Sequence, residues 1–135
     1  VMVALSGGFE RQWSHLVDIN IYFIEKICEY LGLKQKLLVR ASEMALKEDP
    51  TDRLVDICQQ HGADTYFSGA DGERYMDLSR FEKAGIRVEF QKFVNPVYPQ
   101  QFKGFEAQLS IIDMMFNCGR ETVELIRSAN PQLWS

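Results

Sequence analysis

The sequence predicts an α/β fold with a mostly parallel sheet. Three segments in series have the order helix, glycine, short apolar strand, which is typical of helices packed on the faces of a parallel sheet. The 135-residue chain is 46% hydrophobic and 25% charged, so it can bury the core of a globular domain. We therefore expect a single domain over residues 1–135 with a three-layer αβα, Rossmann-like arrangement.

The first of these segments begins at Leu16. Apolar side chains recur at steps of three and four as far as Leu31, which predicts an amphipathic helix. Gly32 suits the left-handed conformation that ends a helix, and Lys36–Val39 is predicted to be a short buried strand. Residues 1–12 precede this segment and are expected to be disordered.

The second segment begins at Asp49–Pro50. Aspartate is a favoured N-cap and proline suits the first helical position, so a helix is predicted to start here. Its apolar face lies within Leu54–Cys58, and Gly62 ends it. Asp64–Phe67 is then predicted to be a strand.

The third segment is shorter. Ser79–Glu82 has the spacing of a capping box, in which a serine and a glutamate each bind the backbone at the start of a helix. Gly85 ends this turn of helix, and Ile86–Phe90 alternates apolar and polar residues as a strand does.

The C-terminal part is predicted to be a loop followed by two helices. Two prolines in Asn95–Gln100 remove backbone donors and favour an extended loop. Phe105–Cys118 is predicted to be one helix that ends at Gly119, and Glu121–Ser128 a second.

The Phe105–Cys118 segment carries one polar seam on an otherwise apolar surface. Its members are Glu106, Ser110, Asp113 and Asn117, at steps of four, three and four. A helix with so narrow a polar stripe is expected to be largely buried. The seam is then either exposed to a narrow strip of solvent or part of the wall of a polar cleft. In a cleft, Asp113 would act as a general base or orient a substrate amine.

A glycine-rich turn follows the second predicted strand. Ser68, Gly69, Asp71, Gly72 and Tyr75 all lie in it. Strand-to-loop exits of open α/β sheets are common ligand sites, where backbone amides can bind a phosphate or sugar. The alternative is a plain turn, in which the glycines supply positive φ and Asp71 binds its own backbone. The turn matches neither the dinucleotide-binding fingerprint nor the P-loop.

Three further side chains are binding candidates. In the proline-containing loop, Tyr98 and Gln100 offer an aromatic ring and an amide to a sugar or base, although Tyr98 would equally serve to fasten the loop to the core. Arg53 stands near the start of a helix, where a positive charge is unfavourable. It therefore has a partner elsewhere or is simply exposed to solvent.

Charge and cysteine usage exclude several classes of protein. The net charge of −4, with no basic block, argues against binding of nucleic acid. Cys28, Cys58 and Cys118 are odd in number and form no C-x-x-C pair, which favours a reduced, cytoplasmic setting. His15 and His61 lack neighbours at metal-ligand spacing, so no metal site is expected. The apolar runs are too short for membrane insertion.

Several segments in this order carry a resemblance to a known family. They are Thr51–Cys58, Gly62–Gly69, Gly72 with Tyr75, Gly85–Phe90, Pro96–Gln100 and Leu109–Gly119. Together they resemble the WbqC-like protein family, from about residue 16 to residue 122. Members of that family begin with a strand carrying a Gln-Pro segment followed by aromatic residues, and this segment is missing here. The chain thus resembles the C-terminal two-thirds of a member, as a fragment of a longer protein.

The resemblance implies a transferase that modifies a nucleotide-linked amino sugar by aminoacyl or acyl transfer. The family is associated with bacterial surface-polysaccharide biosynthesis, that is, with the O-antigen of lipopolysaccharide. On this hypothesis Asp113 and Ser68 are the catalytic candidates. The substrate-binding candidates are Arg53, Ser68, Gly69, Asp71, Gly72, Tyr75, Tyr98, Gln100, Ser110 and Asn117.

On this hypothesis Asp113 and Tyr98 hold the amine of the substrate, and the backbone amides of the Ser68–Tyr75 turn bind its diphosphate. Ser68 and Cys118 each lack a base at recognisable spacing, so the sequence identifies no nucleophile and no cofactor. The alternative is a non-catalytic binding or scaffold module associated with the same biosynthesis. A homo-oligomer through Met114–Phe116 would favour that alternative.

Overall fold

The computed structural model describes residues 1–33 and 37–133. In chain order, the helices are α1 (Met2–Phe9), α2 (Leu16–Tyr30), α3 (Pro50–Gln60), α4 (Leu78–Lys83), α5 (Ile111–Cys118) and α6 (Thr122–Ala129), and the strands are β1 (Thr65–Ser68) and β2 (Arg87–Phe90). The described chain groups into two compact units. One contains the N-terminal segment and the chain from Val94 onward, and the other is Leu37–Phe93. The single domain expected from the sequence stays a prediction.

The second unit contains a small parallel sheet. Strands β1 and β2 pair in parallel, with Thr65 opposite Arg87 and Ser68 opposite Phe90. Helix α4 lies between them in the chain, so β1, α4 and β2 form a β-α-β motif, which α3 precedes. The prediction of α/β character with parallel pairing is confirmed by this sheet.

The first of the three predicted strands, at Lys36–Val39, is not found among the described residues. Leu37–Val39 have no strand conformation and are exposed, whereas Lys36 lies outside the described residues. Over the described ranges the sheet therefore has two strands, and the three-layer αβα arrangement is not confirmed. Three consecutive apolar residues are compatible with a buried strand, but here no neighbouring strand in the described chain pairs with them.

The core of the second unit forms between α3, α4 and the sheet. Its buried members are Val55, Cys58, Met76, Phe81 and Ile86. The ring of Tyr66 on β1 stacks on the fully buried ring of Phe81, with 5.3 Å between the ring centroids. Gly62 and Gly85 end α3 and α4 in the left-handed conformation, with φ of 63° and 71°, as expected.

Aspartates begin both helices of this unit. The Asp49 carboxylate accepts hydrogen bonds from the amides of Thr51 and Asp52, which confirms it as the N-cap of α3. Helix α4 is capped by Asp77 and not by Ser79, so the predicted capping box at Ser79–Glu82 is wrong. The Asp77 carboxylate accepts from both the amide and the hydroxyl of Ser79, and Ser79 therefore lies inside the helix.

In the first unit, helix α1 occupies part of the segment that was expected to be disordered. Leu5 is buried, and Gly8 packs so closely on α2 that a Cβ at this position would lie 2.5 Å from the Phe23 ring. The Phe9 and Phe23 rings pack with their centroids 5.1 Å apart. The two glycines in α1 allow the backbones of α1 and α2 to come close together. This packing stabilises a helix in a segment whose composition did not predict one.

Helix α5 is shorter than predicted. It begins at Ile111, with Ser110 as its N-cap, and it ends at Gly119, whose φ is 56°. Gln108 has a φ of 61°, which is incompatible with a continuous α-helix, and residues 105–109 are exposed. The prediction of a helix over Phe105–Cys118 is therefore wrong in its first half.

Candidate functional site

Tyr98 and Asp113 form the centre of the candidate site in the first unit. The Tyr98 hydroxyl donates a hydrogen bond to Oδ2 of Asp113 at 2.7 Å. Tyr98 is buried, and its ring meets Phe105 edge-on, with 5.7 Å between the centroids. Burial raises the pKa of Tyr98, and the bond to Asp113 raises it further. The phenol is therefore a neutral donor that holds the carboxylate in one orientation.

A pocket of about 510 Å³ opens beside this pair. One wall is the face of α5 that carries Asp113, Phe116 and Asn117, which stand at i, i+3 and i+4 and therefore share one side of the helix. The other wall is the loop 100–106 together with Leu109. The volume is that of a small-molecule site.

A pair of hydrogen bonds between the Gln100 side chain and the Glu106 backbone closes the loop wall. The Gln100 side-chain amide donates to the carbonyl of Glu106 at 2.8 Å, and its oxygen accepts from the Glu106 amide at 2.8 Å. This pair satisfies the Glu106 backbone outside any helix. Between the two residues, Gly104 has a φ of 97°, a conformation that side-chain-bearing residues rarely adopt.

Three charged side chains line the pocket. They are the carboxylates of Asp113 and Glu106 and the ammonium group of Lys103. Within the part of the chain that the structure describes, none of the three forms an ion pair. Their charges are therefore available to a ligand, and the pocket offers both signs.

Asn130 anchors the segment that leads into the loop. Its side chain accepts from the Val94 amide at 2.6 Å and donates to the carbonyls of Val94 and Ile126 at 2.9 and 3.0 Å. Asn130 is fully buried, so these bonds are shielded from water. The anchor ties the chain ahead of Tyr98 to the end of α6.

The comparison with known families agrees with the motifs in the sequence. The model of the WbqC-like protein family matches residues 1–125. The chain belongs to the WbqC-like protein family. It is also similar to uncharacterized protein Rv1507c of Mycobacterium tuberculosis (strain ATCC 25618 / H37Rv), with 34% identity over 119 residues, which are 87% of this chain and 51% of that protein. The chain thus spans about half the length of this curated relative, and no solved structure matches it.

In this WbqC-like chain, the predicted polar seam is only partly assembled. Asp113 and Asn117 share a face of α5, but the Asn117 amide donates to the Asp113 carbonyl at 2.9 Å. Ser110 is used as the N-cap, with its hydroxyl accepting from the Ile112 amide at 3.3 Å. Glu106 lies before the helix, in the loop wall. Asp113 and Asn117 both line the pocket, and a substrate-binding role for the seam stays a prediction.

The glycine-rich turn belongs to the second unit and forms a 3-10 turn over Ala70–Arg74. Ser68 is only 3% exposed, and a Cβ on Gly72 would overlap its hydroxyl oxygen. Gly72 is therefore explained by close packing, since its φ is not in the positive region. The Asp71 carboxylate pairs with Arg74 at 3.2 Å and not with its own backbone.

The other predicted residues of the second unit lie at its surface. Gly69 has open space where a Cβ would be, and Tyr75 is 66% exposed. Arg53 is exposed and donates to the carbonyls of Lys47 and Glu48 at 3.1 and 3.2 Å. The partners of Arg53 are thus backbone groups just ahead of α3, which gives it a structural role.

Phe102 and Lys103 are among the pocket residues that were not predicted as site residues from the sequence. The predicted loop ended at Gln100 and the predicted helix began at Phe105, so residues 101–104 were left unassigned. Phe102 is 82% exposed, and Lys103 precedes the left-handed Gly104. An aromatic residue and a lysine next to a glycine, just after a proline-containing loop, are the signal that would have indicated them.

The described chain offers little support for a metal or a disulfide. Over residues 1–33 and 37–133, no group of three or more His, Cys, Asp or Glu side chains is placed to hold a metal ion. Cys28, Cys58 and Cys118 are all free thiols. No helix in these ranges has the length and hydrophobicity needed to cross a bilayer.

Proposed function

We propose that this WbqC-like protein is a transferase that modifies a nucleotide-linked amino sugar in bacterial surface-polysaccharide (O-antigen) biosynthesis. The observation that carries the proposal is the Asp113 carboxylate, which lines the pocket and is held by the buried Tyr98 hydroxyl. An oriented carboxylate without a cationic partner is suited to accept a hydrogen bond from an amine and to remove its proton. The three-layer αβα arrangement and the cytoplasmic location belong to the same proposal for the whole protein, whereas a homo-oligomer would favour the non-catalytic alternative.

The chemistry assigned to the pocket is acyl or aminoacyl transfer to the sugar amine. The amine nitrogen attacks the acyl carbon of an activated donor, the bond to the donor's leaving group breaks, and Asp113 takes the proton from the nitrogen. Tyr98 acts through Asp113 and is a positioning residue, because its hydrogen bond occupies Oδ2. The second carboxylate oxygen is then the acceptor for the amine.

In the proposed reaction the amine attacks the acyl carbon of the donor directly, without a nucleophile from the protein. Ser68 is buried beneath Gly72, which does not favour it as a nucleophile. The pKa of the Cys118 thiol is raised, first by burial and then by the negative charges of Glu121 and Asp113. A thiol with a raised pKa is a poor nucleophile at neutral pH.

A second candidate is a non-catalytic binding module, and the exposed apolar residues near the pocket favour it. Phe102 is 82%, Phe116 51% and Leu109 47% exposed, and all three line the pocket. Exposed apolar side chains that surround a pocket are common at binding surfaces. Met114 and Met115 are buried, however, so the expected dimer face at Met114–Phe116 is reduced to one exposed ring.

The test compares two ligands that differ only at the amine. Binding of UDP-glucosamine and UDP-glucose to the 135-residue chain is measured by isothermal titration calorimetry, in the wild type and in Asp113→Asn. We expect the wild type to bind the amino ligand about 10-fold more tightly, and Asp113→Asn to lose this preference, because a hydrogen bond to a charged group is removed.

The matched control is Asp64→Asn, at an exposed aspartate of the second unit, which should keep the preference. Circular dichroism checks that each variant is folded. Equal affinity of the wild type for the two ligands, or no binding of either, would contradict the proposal. Binding without any acylated product, detected by mass spectrometry with activated acyl donors, would favour the non-catalytic module.

A further inference from the structure

We infer that Lys103 binds the diphosphate of the substrate at the loop wall of the pocket. The inference rests on the proposed function, and it differs from the sequence-based expectation that the Ser68–Tyr75 turn does so. Lys103 lines the pocket, and no carboxylate in the described chain pairs with it. A lysine ammonium group is a compact point charge on a flexible stem, which is a common partner of phosphate.

The neighbours of Lys103 suit a nucleotide. Phe102 comes directly before it and leaves 82% of its surface exposed, so its ring is available to stack on a base. Gly104 comes directly after it, and its φ of 97° turns the chain at this point of the loop. The Gln100–Glu106 hydrogen bonds close the loop behind these residues. The loop therefore presents an aromatic face and a positive charge side by side.

The charges of the pocket also set which ligands it accepts. Lys103 is accompanied by the carboxylates of Asp113 and Glu106, so the three side chains together carry a net negative charge. A free diphosphate gains one attraction and meets two repulsions there. A ligand that carries an amine as well as a diphosphate gains from both signs. The pocket should therefore prefer a nucleotide-linked amino sugar to the nucleoside diphosphate alone.

The turn in the second unit is less suited to the same task. The amides of Gly72, Tyr75 and Met76 already donate to carbonyls within the turn, at 3.0 to 3.2 Å. The Asp71 carboxylate adds a negative charge, and Arg74 is paired with it at 3.2 Å. The amides of Gly72 and Tyr75 are therefore already used, and the Asp71 carboxylate would repel a phosphate group in that turn.

The test uses three variants of the 135-residue chain. Affinities for UDP and UDP-glucosamine are measured by isothermal titration calorimetry in Lys103→Gln, in Arg74→Gln and in the control Lys83→Gln, whose exposed lysine lies on α4. We expect Lys103→Gln to weaken the binding of both ligands by about 5-fold or more, and the other two variants to bind as the wild type does. The difference should shrink as the salt concentration rises.

The outcomes separate this inference from the function on which it rests. UDP-glucose is titrated into Lys103→Gln as well, and the variant should keep the preference for UDP-glucosamine over UDP-glucose, because Asp113 is intact. If Lys103→Gln binds as the wild type does while Asp113→Asn loses the preference, the inference is wrong and the proposed function stands. A loss of affinity in Arg74→Gln alone would indicate that the Ser68–Tyr75 turn, and not Lys103, binds the diphosphate. No binding of either ligand to the wild type would overturn both.

Discussion

The Tyr98 hydroxyl donates a hydrogen bond to Oδ2 of Asp113, with 2.7 Å between the two oxygens. This bond joins the proline-containing loop to α5 and orients the one carboxylate of that helix that lines the pocket. The loop is therefore held to the helix by the same pair that forms the centre of the candidate site. Changes at Tyr98 should affect both stability and ligand binding.

Tyr98→Phe should lower the free energy of unfolding by about 1 kcal/mol at neutral pH, because one hydrogen bond is lost from a buried phenol. It should also weaken the preference for an amino ligand, since Asp113 is no longer oriented. Chemical denaturation and calorimetry measure the two effects. If neither the free energy of unfolding nor the ligand preference changes, the hydrogen bond does not orient the Asp113 carboxylate.

Alkaline pH should destabilise the protein through Tyr98. Burial and the bond to Asp113 raise its pKa in the folded state above the unfolded value of about 10. The stabilisation is fully present below about pH 10 and is lost as the pH rises through the folded pKa, because the unfolded chain then releases its proton more readily. Tyr66 has a pKa raised by burial and adds to this trend.

The measurement is the stability of the wild type and of Tyr98→Phe between pH 8 and pH 11. We expect the difference between them to narrow above about pH 10. A difference that stays constant through this range would mean that the Tyr98 pKa is the same in the folded and unfolded states.

Asn130→Asp should be strongly destabilising although it preserves the shape of the side chain. The Asn130 amide nitrogen donates to the carbonyls of Val94 and Ile126, and an aspartate would place an oxygen against both. We expect a loss of about 2–4 kcal/mol at pH 7 and a smaller loss at pH 4, where the carboxyl group is partly protonated. Asn20→Asp, at an exposed position of α2, is the control and should change stability little.

Hydrogen exchange gives a local readout for the same variant. The Val94 amide is bonded to Asn130 in the folded protein and should be protected from exchange. Protection should fall in Asn130→Asp more than it falls for the amides of α3. A uniform loss across the chain would show global unfolding and no specific anchor.

Gly72→Ala and Gly69→Ala should behave differently although both lie in the same turn. A Cβ on Gly72 would overlap the Ser68 hydroxyl and lie 2.8 Å from Met76 Cε, whereas a Cβ on Gly69 meets nothing within 4 Å. We expect Gly72→Ala to lose about 1–3 kcal/mol. Gly69→Ala should be neutral or slightly stabilising, because alanine restricts the unfolded chain.

Adding Ser68→Ala to Gly72→Ala should recover part of the loss, since the overlapping oxygen is removed. Chemical denaturation of the two single variants and the double variant measures this. Equal stabilities of Gly72→Ala and Gly69→Ala would argue against close packing as the reason for the glycine at position 72.

Arg80→Gln should lower the Tm by a few degrees at pH 7. The Arg80 guanidinium group contacts Asp49 at 2.7 Å, Asp52 at 3.0 Å and Asp77 at 3.2 Å, and so joins the caps of α3 and α4. The pKa of Asp49 is lowered by the Asp52 amide and also by Arg80, and the pKa of Asp77 is lowered by Ser79 and also by Arg80.

A carboxylate with a lowered folded pKa stabilises the protein above its unfolded pKa of about 3.9, and this stabilisation is lost as the pH falls through the folded value. The difference in Tm between the wild type and Arg80→Gln should therefore be present at pH 7 and decrease below about pH 4. Scanning calorimetry from pH 7 to pH 3 measures it. A difference that does not depend on pH would assign the effect of Arg80 to packing.

Features that depend on neighbouring residues could be predicted from the sequence. Asp49–Pro50 starts α3, Gly62 and Gly85 end α3 and α4, and β1 and β2 were placed within a residue of their observed bounds. These signals are local because a cap, a left-handed glycine and an alternating strand act over a few residues. Family membership followed from the same local motifs and their order.

The grouping of these segments into a site depends on contacts between residues that are far apart in the chain. Gln100 binds the Glu106 backbone, and this bond, together with the positive φ of Gln108, delays the start of α5 until Ile111 although the apolar pattern is helical from Phe105. The bonds from Tyr98 to Asp113 and from Asn130 to Val94 join residues that are 15 and 36 positions apart. Hydrophobic periodicity carries no information about such pairs, because it reports which face of an element is buried and not what it is buried against.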